Sequence, residues 1–239
     1  MKMTEVAILS DHSAMYSRVT MQYQPTPRTT VRRLKKRAVY DKAVVHAILD
    51  EGFICHVGFV VETQPYVIPT IYARHDETLY FHGAVASRTL KTLATGVDVC
   101  LTVTLMDGLV LARSAFHHSM NYRSVVVLGN ARLVQEPDER MRALRVITDH
   151  AVPGRWDEVR GPNELEMKQT SVLALALEEV SAKVRSGPPV DDDEDYSLPI
   201  WAGVVPIEAR VAKPINDGRV LPGVAEPELA RFKRFVKPA

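Results

Sequence analysis

Most apolar positions between residues 53 and 134 fall into short runs, or alternate with polar positions, in the pattern typical of β-strands. The expected strands cover 53–61, 66–72, 78–82, 97–105, 109–116, 122–128 and 131–134, with a last one at 201–207. Asp107-Gly108 has the composition of a hairpin turn. Pro69 lacks an N–H, so its strand should be interrupted, bulged or at a sheet edge. Segment 172–184 is compatible with helix or strand, and its alternating leucines favour strand.

A helical period appears in only a few places. Asp41 is a suitable N-cap for a helix over 42–50, Ser87 for a short helix over 88–95, and Pro137 opens a longer one. We therefore expect about seven or eight short strands and two or three helices. Because short turns join successive strands, the strands should pair antiparallel, and a closed or half-closed barrel would cover their edges. The expected fold class is mainly β, a barrel with a few helices.

Both ends of the chain differ from this central part. We expect a basic arm over 1–38, a globular domain over 39–207 and a loose tail over 208–239 that ends in a basic helix. The acidic run 191–195 is expected to be a solvated loop. The basic run contains no acid and can bind phosphates or anionic surfaces; the alternative is a solvated arm or a strap over a partner subunit. Its cations are Arg28, Arg32, Arg33, Lys35, Lys36 and Arg37.

Composition narrows the class of protein. The chain has 239 residues, 46% of them hydrophobic, and a net charge of +1. This excludes wholesale disorder and provides no global field for nucleic acid or a membrane surface. Cys55 and Cys100 lie in apolar runs and are expected to be reduced core residues. No secretory leader and no apolar run long enough to cross a bilayer is visible, so we expect a cytoplasmic protein with neither membrane nor nucleic-acid partners.

Few motifs indicate chemistry. The sequence has no GxGxxG, no phosphate loop, no GxSxG and no HExxH. His117 and His118 would point to opposite faces of a strand, so we expect no metal site. The informative stretch is 78–91, where a strand leads through small residues into a capped helix. Ser87, Arg88 and Lys91 could together hold a phosphate, although an ordinary capped surface helix would have the same pattern.

Several separated segments, in order and spacing, resemble the pyridoxamine 5′-phosphate oxidase-like FMN-binding split-barrel superfamily. The resemblance spans roughly 33–207 and is strongest to its flavin-nucleotide-binding branch, which includes nitroimidazole-resistance proteins. It implies an antiparallel split barrel of the Greek-key type and a homodimer with FMN at the subunit interface. The matching segments are Gly52–Gly58, Gln64–Pro69, Leu79–Ala84, Arg113–Val125 and Pro199–Gly203.

The resemblance also implies a cofactor site. One strand would lay its backbone along the flavin ring, a strand end would border the ribityl chain, and the helix start would hold the phosphate. Lys91 would replace a family lysine whose place is taken by Thr89, and Ser124 stands where the oxidases have glutamine. The implied cofactor-binding residues are Tyr66, Val67, Ile68, Pro69, Thr70, His82, Gly83, Ser87, Arg88, Lys91, Arg123, Ser124 and Trp201. His82 is also the candidate catalytic residue, because it would face the substrate; the alternative is a histidine bonded to a loop carbonyl.

The expected function is that of an FMN-dependent oxidoreductase acting on a small aromatic or nitro compound. The alternative is a non-catalytic carrier or sensor of flavin or haem, supported only by histidines at strand ends, namely His56, His82, His117 and His118. Deazaflavin is a further cofactor candidate. The oxidases end in an Arg-x-His-type segment that grips their substrate, whereas this chain continues from Trp201 into 204–207 and then diverges. This departure argues against oxidation of pyridoxamine phosphate itself.

Overall fold

The computed structural model describes residues 21–228 and 230–232. In these residues the chain forms eleven β-strands and four α-helices. The strands are β1 (Ala38–Val39), β2 (Ile54–Val61), β3 (Gln64–Ile71), β4 (Ala73–His75), β5 (Thr78–Ala84), β6 (Asp98–Leu111), β7 (Ser119–Asn130), β8 (Arg132–Leu133), β9 (Thr170–Ala176), β10 (Glu179–Arg185) and β11 (Gly203–Pro206). The helices are α1 (Lys42–Glu51), α2 (Arg88–Leu93), α3 (Pro137–Ala151) and α4 (Glu164–Gln169).

The strands form two antiparallel sheets. The larger has the order β1-β10-β7-β6-β2-β3, with β11 paired to the far end of β6. The smaller has the order β4-β5-β9-β8. Every strand pair is antiparallel, and the few helices lie outside the sheets. The expected fold class, a mainly β antiparallel split barrel, is confirmed.

Two apolar clusters form the interior of the fold. The main core lies between them and takes alternate residues of each, such as Val57 and Leu101 from the larger sheet and Phe81 and Leu173 from the smaller. The other face of the smaller sheet packs on α3. That second cluster contains Tyr80, Val172, Ala174, Ala143 and Ile147. The smaller sheet is therefore covered on both faces, and neighbouring residues of β5 point into different clusters.

Local signals in the sequence located the helix starts correctly. Asp41 accepts a hydrogen bond from the N–H of Val44 (3.0 Å), and Pro137 is the first residue of α3. Segment 172–184 lies in β9 and β10, so the preference for strand is confirmed. Pro69 lies in β3, the last strand of the larger sheet, which agrees with the expected edge position. No strand pairs on the open side of β3 within the described residues, so the missing N–H of Pro69 loses no inter-strand hydrogen bond there. Helix α4 was not expected.

The predicted hairpin at Asp107-Gly108 is wrong. Strand β6 runs through these residues without reversing, and the register with β7 shifts between Met106 and Gly108. Gly108 also pairs with Pro206 of β11, and a Cβ on Gly108 would lie 3.0 Å from both the Val204 side chain and the Val205 carbonyl oxygen. The dipeptide is thus a β-bulge that lets β11 approach closely. The turn lies further on, where 115–117 form a 3-10 helix instead of the end of a strand.

Part of the segment expected as a basic arm packs against the barrel. Tyr23 is 4% exposed and belongs to the main core. Its hydroxyl donates to Glu77 (2.8 Å) and lies 2.9 Å from Nε2 of His46. Thr29 is also buried, and Arg28 pairs with Glu179. The globular part therefore starts before residue 39, while residues 1–20 of the expected arm lie outside the described ranges.

The acidic run is not wholly solvated. The Asp191 side chain is buried and accepts hydrogen bonds from the backbone N–H (2.9 Å) and the guanidinium (3.0 Å) of Arg113, which hold its pKa down although burial opposes them. Cys100 is exposed on β6, contrary to expectation, whereas Cys55 is buried as expected. Residues 207–228 form neither helix nor strand, and the terminal basic helix was predicted largely on residues outside the described ranges.

Candidate functional site

The start of α2 lies beside the first half of β3. A small cavity of about 40 Å³ separates them. It is lined by Phe59, Val61, Tyr66, Ile68, Arg88, Thr89 and Thr92. The structure therefore brings together two parts of the predicted site, the strand over 66–70 and the Ser87-Arg88 corner.

Two cations at this corner are free to meet an anion. Arg88 and Lys91 are exposed, and neither forms an ion pair with a carboxylate in the part of the chain that the structure describes. The guanidinium of Arg88 instead lies over the ring of Tyr66, with Cζ 5.5 Å from the ring centroid. Helix α2 has only six residues, so its dipole adds little. The positive charge of this corner comes from the two side chains.

Ser87 is occupied in a structural role. Its hydroxyl accepts a long hydrogen bond from the N–H of Leu90 (3.4 Å), as an N-cap does. Leu90 and Leu93 anchor α2 in the main core. A Cβ on Gly83 would lie 2.9 Å from Cδ1 of Leu90, so the end of β5 approaches α2 closely. The helix start is thus fixed relative to both β3 and β5.

Strand β3 divides its predicted site residues between two faces. Tyr66, Ile68 and Thr70 are half-buried and face the barrel, whereas Val67 and Pro69 are exposed. The strand pairs with β2 on one side and has no strand partner on the other within the described residues. Its free edge offers backbone C=O groups and, except at its two prolines, N–H groups.

His82 does not point toward α2. It lies opposite Val172 in the β5–β9 pair, so both side chains project from the same face of the smaller sheet, the face that packs on α3. Gly83 and Phe81 lie on the opposite face, toward the main core and α2. Nδ1 of His82 is buried without a hydrogen-bond partner, and burial lowers the pKa of the imidazole. The expected bond to a loop carbonyl is absent at this atom.

Arg123 lies away from the α2 corner, and its guanidinium is paired with the carboxylates of Glu51 and Asp107. It donates to both carboxylate oxygens of Glu51 (2.5 and 2.8 Å) and to Asp107 (2.7 Å), and these bonds raise its pKa. It lines a second cavity of about 200 Å³, which shares no residue with the α2 cavity. Ser124 follows it on β7. Within one chain, Arg123 therefore presents no free donor to a phosphate at Arg88.

Trp201 is 65% exposed and comes just before β11. Its ring covers Gly203, where an added Cβ would lie 2.9 Å from the indole. The remaining histidines of interest have partners of their own: His117 contacts Asp192 (3.2 Å), and His118 contacts the carbonyl of Ser114 (2.9 Å). Within the described ranges, no three metal-ligating side chains cluster as a metal site would require.

Phe59 is the site residue that the sequence analysis missed. It lies directly opposite Tyr66 in the β2–β3 register, and the two rings stack with centroids 5.6 Å apart and an interplanar angle of 16°. The signal was present, because the short turn at 62–63 fixes which residues of the two strands face each other. Among the described helices, none is both long and apolar enough to cross a membrane.

Several known proteins resemble this chain in sequence and in fold. The family profile described as pyridoxamine 5′-phosphate oxidase matches residues 41–184. The flavocytochrome Anf3 from Azotobacter vinelandii is 43% identical, with a TM-score of 0.81 over 87% of this chain and 96% of that one. The FAD and heme binding protein from Mycobacterium smegmatis is 32% identical, with a TM-score of 0.78 over 82% and 96%.

A candidate 5-nitroimidazole antibiotic resistance protein from Bacteroides thetaiotaomicron shares the fold. It is 22% identical, with a TM-score of 0.53 over 62% of this chain and 86% of that one. No curated protein gives a match.

Proposed function

Because the chain belongs to the pyridoxamine 5′-phosphate oxidase family of split-barrel proteins, we propose that it binds a flavin nucleotide and acts as a flavin-dependent oxidoreductase on a small organic molecule. The observation that carries this proposal is the unpaired Arg88, whose guanidinium lies over the ring of Tyr66, with the unpaired Lys91 three residues further along the same helix. Two proteins that share 43% and 32% of their residues with this chain are a flavocytochrome and an FAD and heme binding protein. FMN remains our expectation, and FAD is equally compatible with a phosphate site.

The residues at this corner fit a flavin nucleotide. Arg88 and Lys91 suit the phosphate, since a guanidinium and an ammonium both donate to phosphate oxygens. The free edge of β3, over 66–70, can donate or accept hydrogen bonds along a planar ring. When bound, the flavin supplies the electron-transfer chemistry, while the protein binds and orients it. Backbone N–H groups near the ring would favour the negative charge of its reduced form.

We propose that a second copy of the chain completes the site. A cavity of about 40 Å³ is much smaller than the roughly 300–1,000 Å³ of ligand pockets, so one chain does not enclose a flavin. The outer face of β2 and β3, on the opposite side of these strands from the cavity, is largely apolar and exposed. Ile54 pairs with Ile71 across the two strands, Val67 is 65% exposed, and Val60 is 51% exposed. Val67→Asp should convert a dimer to a monomer in light scattering and weaken flavin binding.

Haem is the second candidate cofactor. His82 carries a buried ring nitrogen without a partner, and its lowered pKa keeps the imidazole neutral, which is the form that binds iron. The two named relatives above add weight to this candidate. The purified holoprotein should then show a haem absorption band that His82→Gln abolishes and the control His75→Gln retains. A haem spectrum unchanged in His82→Gln would remove His82 as the ligand.

The decisive experiment identifies the cofactor and its phosphate contact. The purified protein should have a flavin absorption spectrum, and mass spectrometry of the denatured extract would distinguish FMN, FAD and deazaflavin. Arg88→Ala should weaken FMN binding by about 10- to 150-fold, because it removes a charge-assisted hydrogen bond of roughly 1.5–3 kcal/mol. Arg33→Ala, which removes an exposed cation elsewhere, should leave it unchanged. A colourless protein that also fails to bind added FMN and FAD would refute the proposal.

Turnover is tested separately from binding. After anaerobic reduction of the bound flavin, small aromatic and nitro compounds are added, and flavin reoxidation is followed by absorbance. Rapid, compound-dependent reoxidation supports the oxidoreductase. Flavin that stays reduced with every compound and with oxygen supports the carrier or sensor instead.

A further inference from the structure

The side chain of Arg88 has an unusual restraint for an exposed arginine. It makes no ion pair in the described part of the chain, yet it is not extended freely into solvent, because its guanidinium lies over the Tyr66 ring. An arginine carries about 2 kcal/mol of side-chain rotamer entropy, so an unrestrained one loses freedom when it binds a ligand. A cation held over an aromatic face has already lost part of that freedom.

The Tyr66 ring is itself held from behind. It stacks on Phe59, which is 6% exposed and belongs to the main core. The two residues are directly opposed in the β2–β3 ladder, so the backbone register also fixes their relative position. Helix α2, which carries Arg88, is anchored in the same core through Leu90 and Leu93. Both ends of the cation–ring contact therefore rest on the main core.

We propose that the stacked pair Phe59–Tyr66 positions the Arg88 guanidinium, and that this arrangement increases the preference of the site for flavins with a phosphate over riboflavin. The inference rests on the proposed flavin function and assigns Tyr66 and Phe59 as positioning residues that act through Arg88. The aromatic ring is the active feature, since the Tyr66 hydroxyl has no hydrogen bond among the described residues. Lys91, on the same helix, has no such support and serves as an internal comparison.

The test is a double-mutant cycle on apo-protein, with FMN and riboflavin as probes and flavin fluorescence as readout. Tyr66→Leu should weaken FMN binding by about 2- to 5-fold, the range for a partly exposed cation–π contact, and leave riboflavin binding unchanged. In the Arg88→Ala background, Tyr66→Leu should have no further effect on FMN. In the Lys91→Ala background it should keep its full effect. Tyr66→Phe should bind FMN as the wild type does.

Two outcomes would overturn this inference. If Tyr66→Leu weakens riboflavin as much as FMN, the tyrosine contacts the flavin ring directly and not through Arg88. If its effect persists in Arg88→Ala, the two residues act independently. A cooperative thermal unfolding transition is the check that each variant is folded. If Tyr66→Leu does not fold, Phe59→Leu, which keeps the core apolar, replaces it. A wild type that binds neither FMN nor FAD refutes the proposed function itself.

Discussion

Replacement of Tyr23 tests whether the N-terminal segment is part of the barrel. The side chain is 4% exposed in the main core, and its hydroxyl donates to Glu77 and contacts His46. The backbone N–H of Tyr23 also donates to the carbonyl of Tyr40 (2.9 Å). Tyr23→Ala removes the ring and both side-chain contacts, while Tyr23→Phe removes only the hydroxyl.

The two substitutions should lower the free energy of unfolding by different amounts. Loss of a buried aromatic side chain costs about 3–5 kcal/mol, and loss of a typical hydrogen bond adds about 1 kcal/mol. The cost of losing the hydrogen bond stays small, because Glu77 keeps its contact with Lys42 (3.0 Å) and is open to water. We therefore expect Tyr23→Ala to lower the free energy of unfolding by about 4 kcal/mol and Tyr23→Phe by about 1 kcal/mol. For a chain of this length, the melting temperature should fall by about 2–4 °C per kcal/mol.

Urea unfolding at neutral pH, followed by circular dichroism, measures both effects. Met21→Ala is the matched control, because Met21 is 58% exposed and two residues away. It should change the free energy of unfolding by less than about 0.5 kcal/mol. If Tyr23→Ala costs less than about 1 kcal/mol, the segment around Tyr23 does not contribute to the fold, and our description of the core is wrong.

Three further outcomes are expected. Gly52→Ala should destabilise the fold by about 1–3 kcal/mol in urea unfolding, because its Cβ would come within 3 Å of two side chains, whereas Gly161→Ala has open space and should be neutral. Burial lowers the pKa of His82, so below about pH 6.5 the unfolded chain binds more protons; apo-protein stability should fall as pH falls, and less so in His82→Gln. Burial raises the pKa of Cys55 to about 12, so a Cys100→Ser variant should react with a thiol reagent only after unfolding.

Strand positions and helix caps could be predicted because they depend on residues close in sequence. Short apolar runs rich in β-branched and aromatic residues located β2 and β5. Asp41 marked the start of α1, because its side chain accepts a hydrogen bond from the N–H of Val44, three residues later. The corner at 87–91 could also be found, since its cations are neighbours in the chain. Resemblance to a known family then supplied the topology, which local patterns leave open.

Contacts between distant segments were not predictable in the same way. Asp107-Gly108 has the composition of a turn, but β6 continues through it with a bulge, and β11, nearly a hundred residues later, pairs there. Arg123 has the chemistry of a phosphate ligand, yet Glu51 and Asp107 meet it in the folded chain. His82 and Gly83 are neighbours on β5 and so point to opposite faces, but only the placement of α3 and α2 decides what each face contacts.

The sequence alone thus determined where most of the longer strands lie, where the short helix at Ser87 begins and which cations lie there, because backbone preference and capping act over a few residues. Tertiary structure decided which of the charged groups stay unpaired. It also placed the guanidinium of Arg88 over the ring of Tyr66, which stacks on Phe59. Charge pairing and ring stacking depend on side chains that meet only when the two sheets close around a common core.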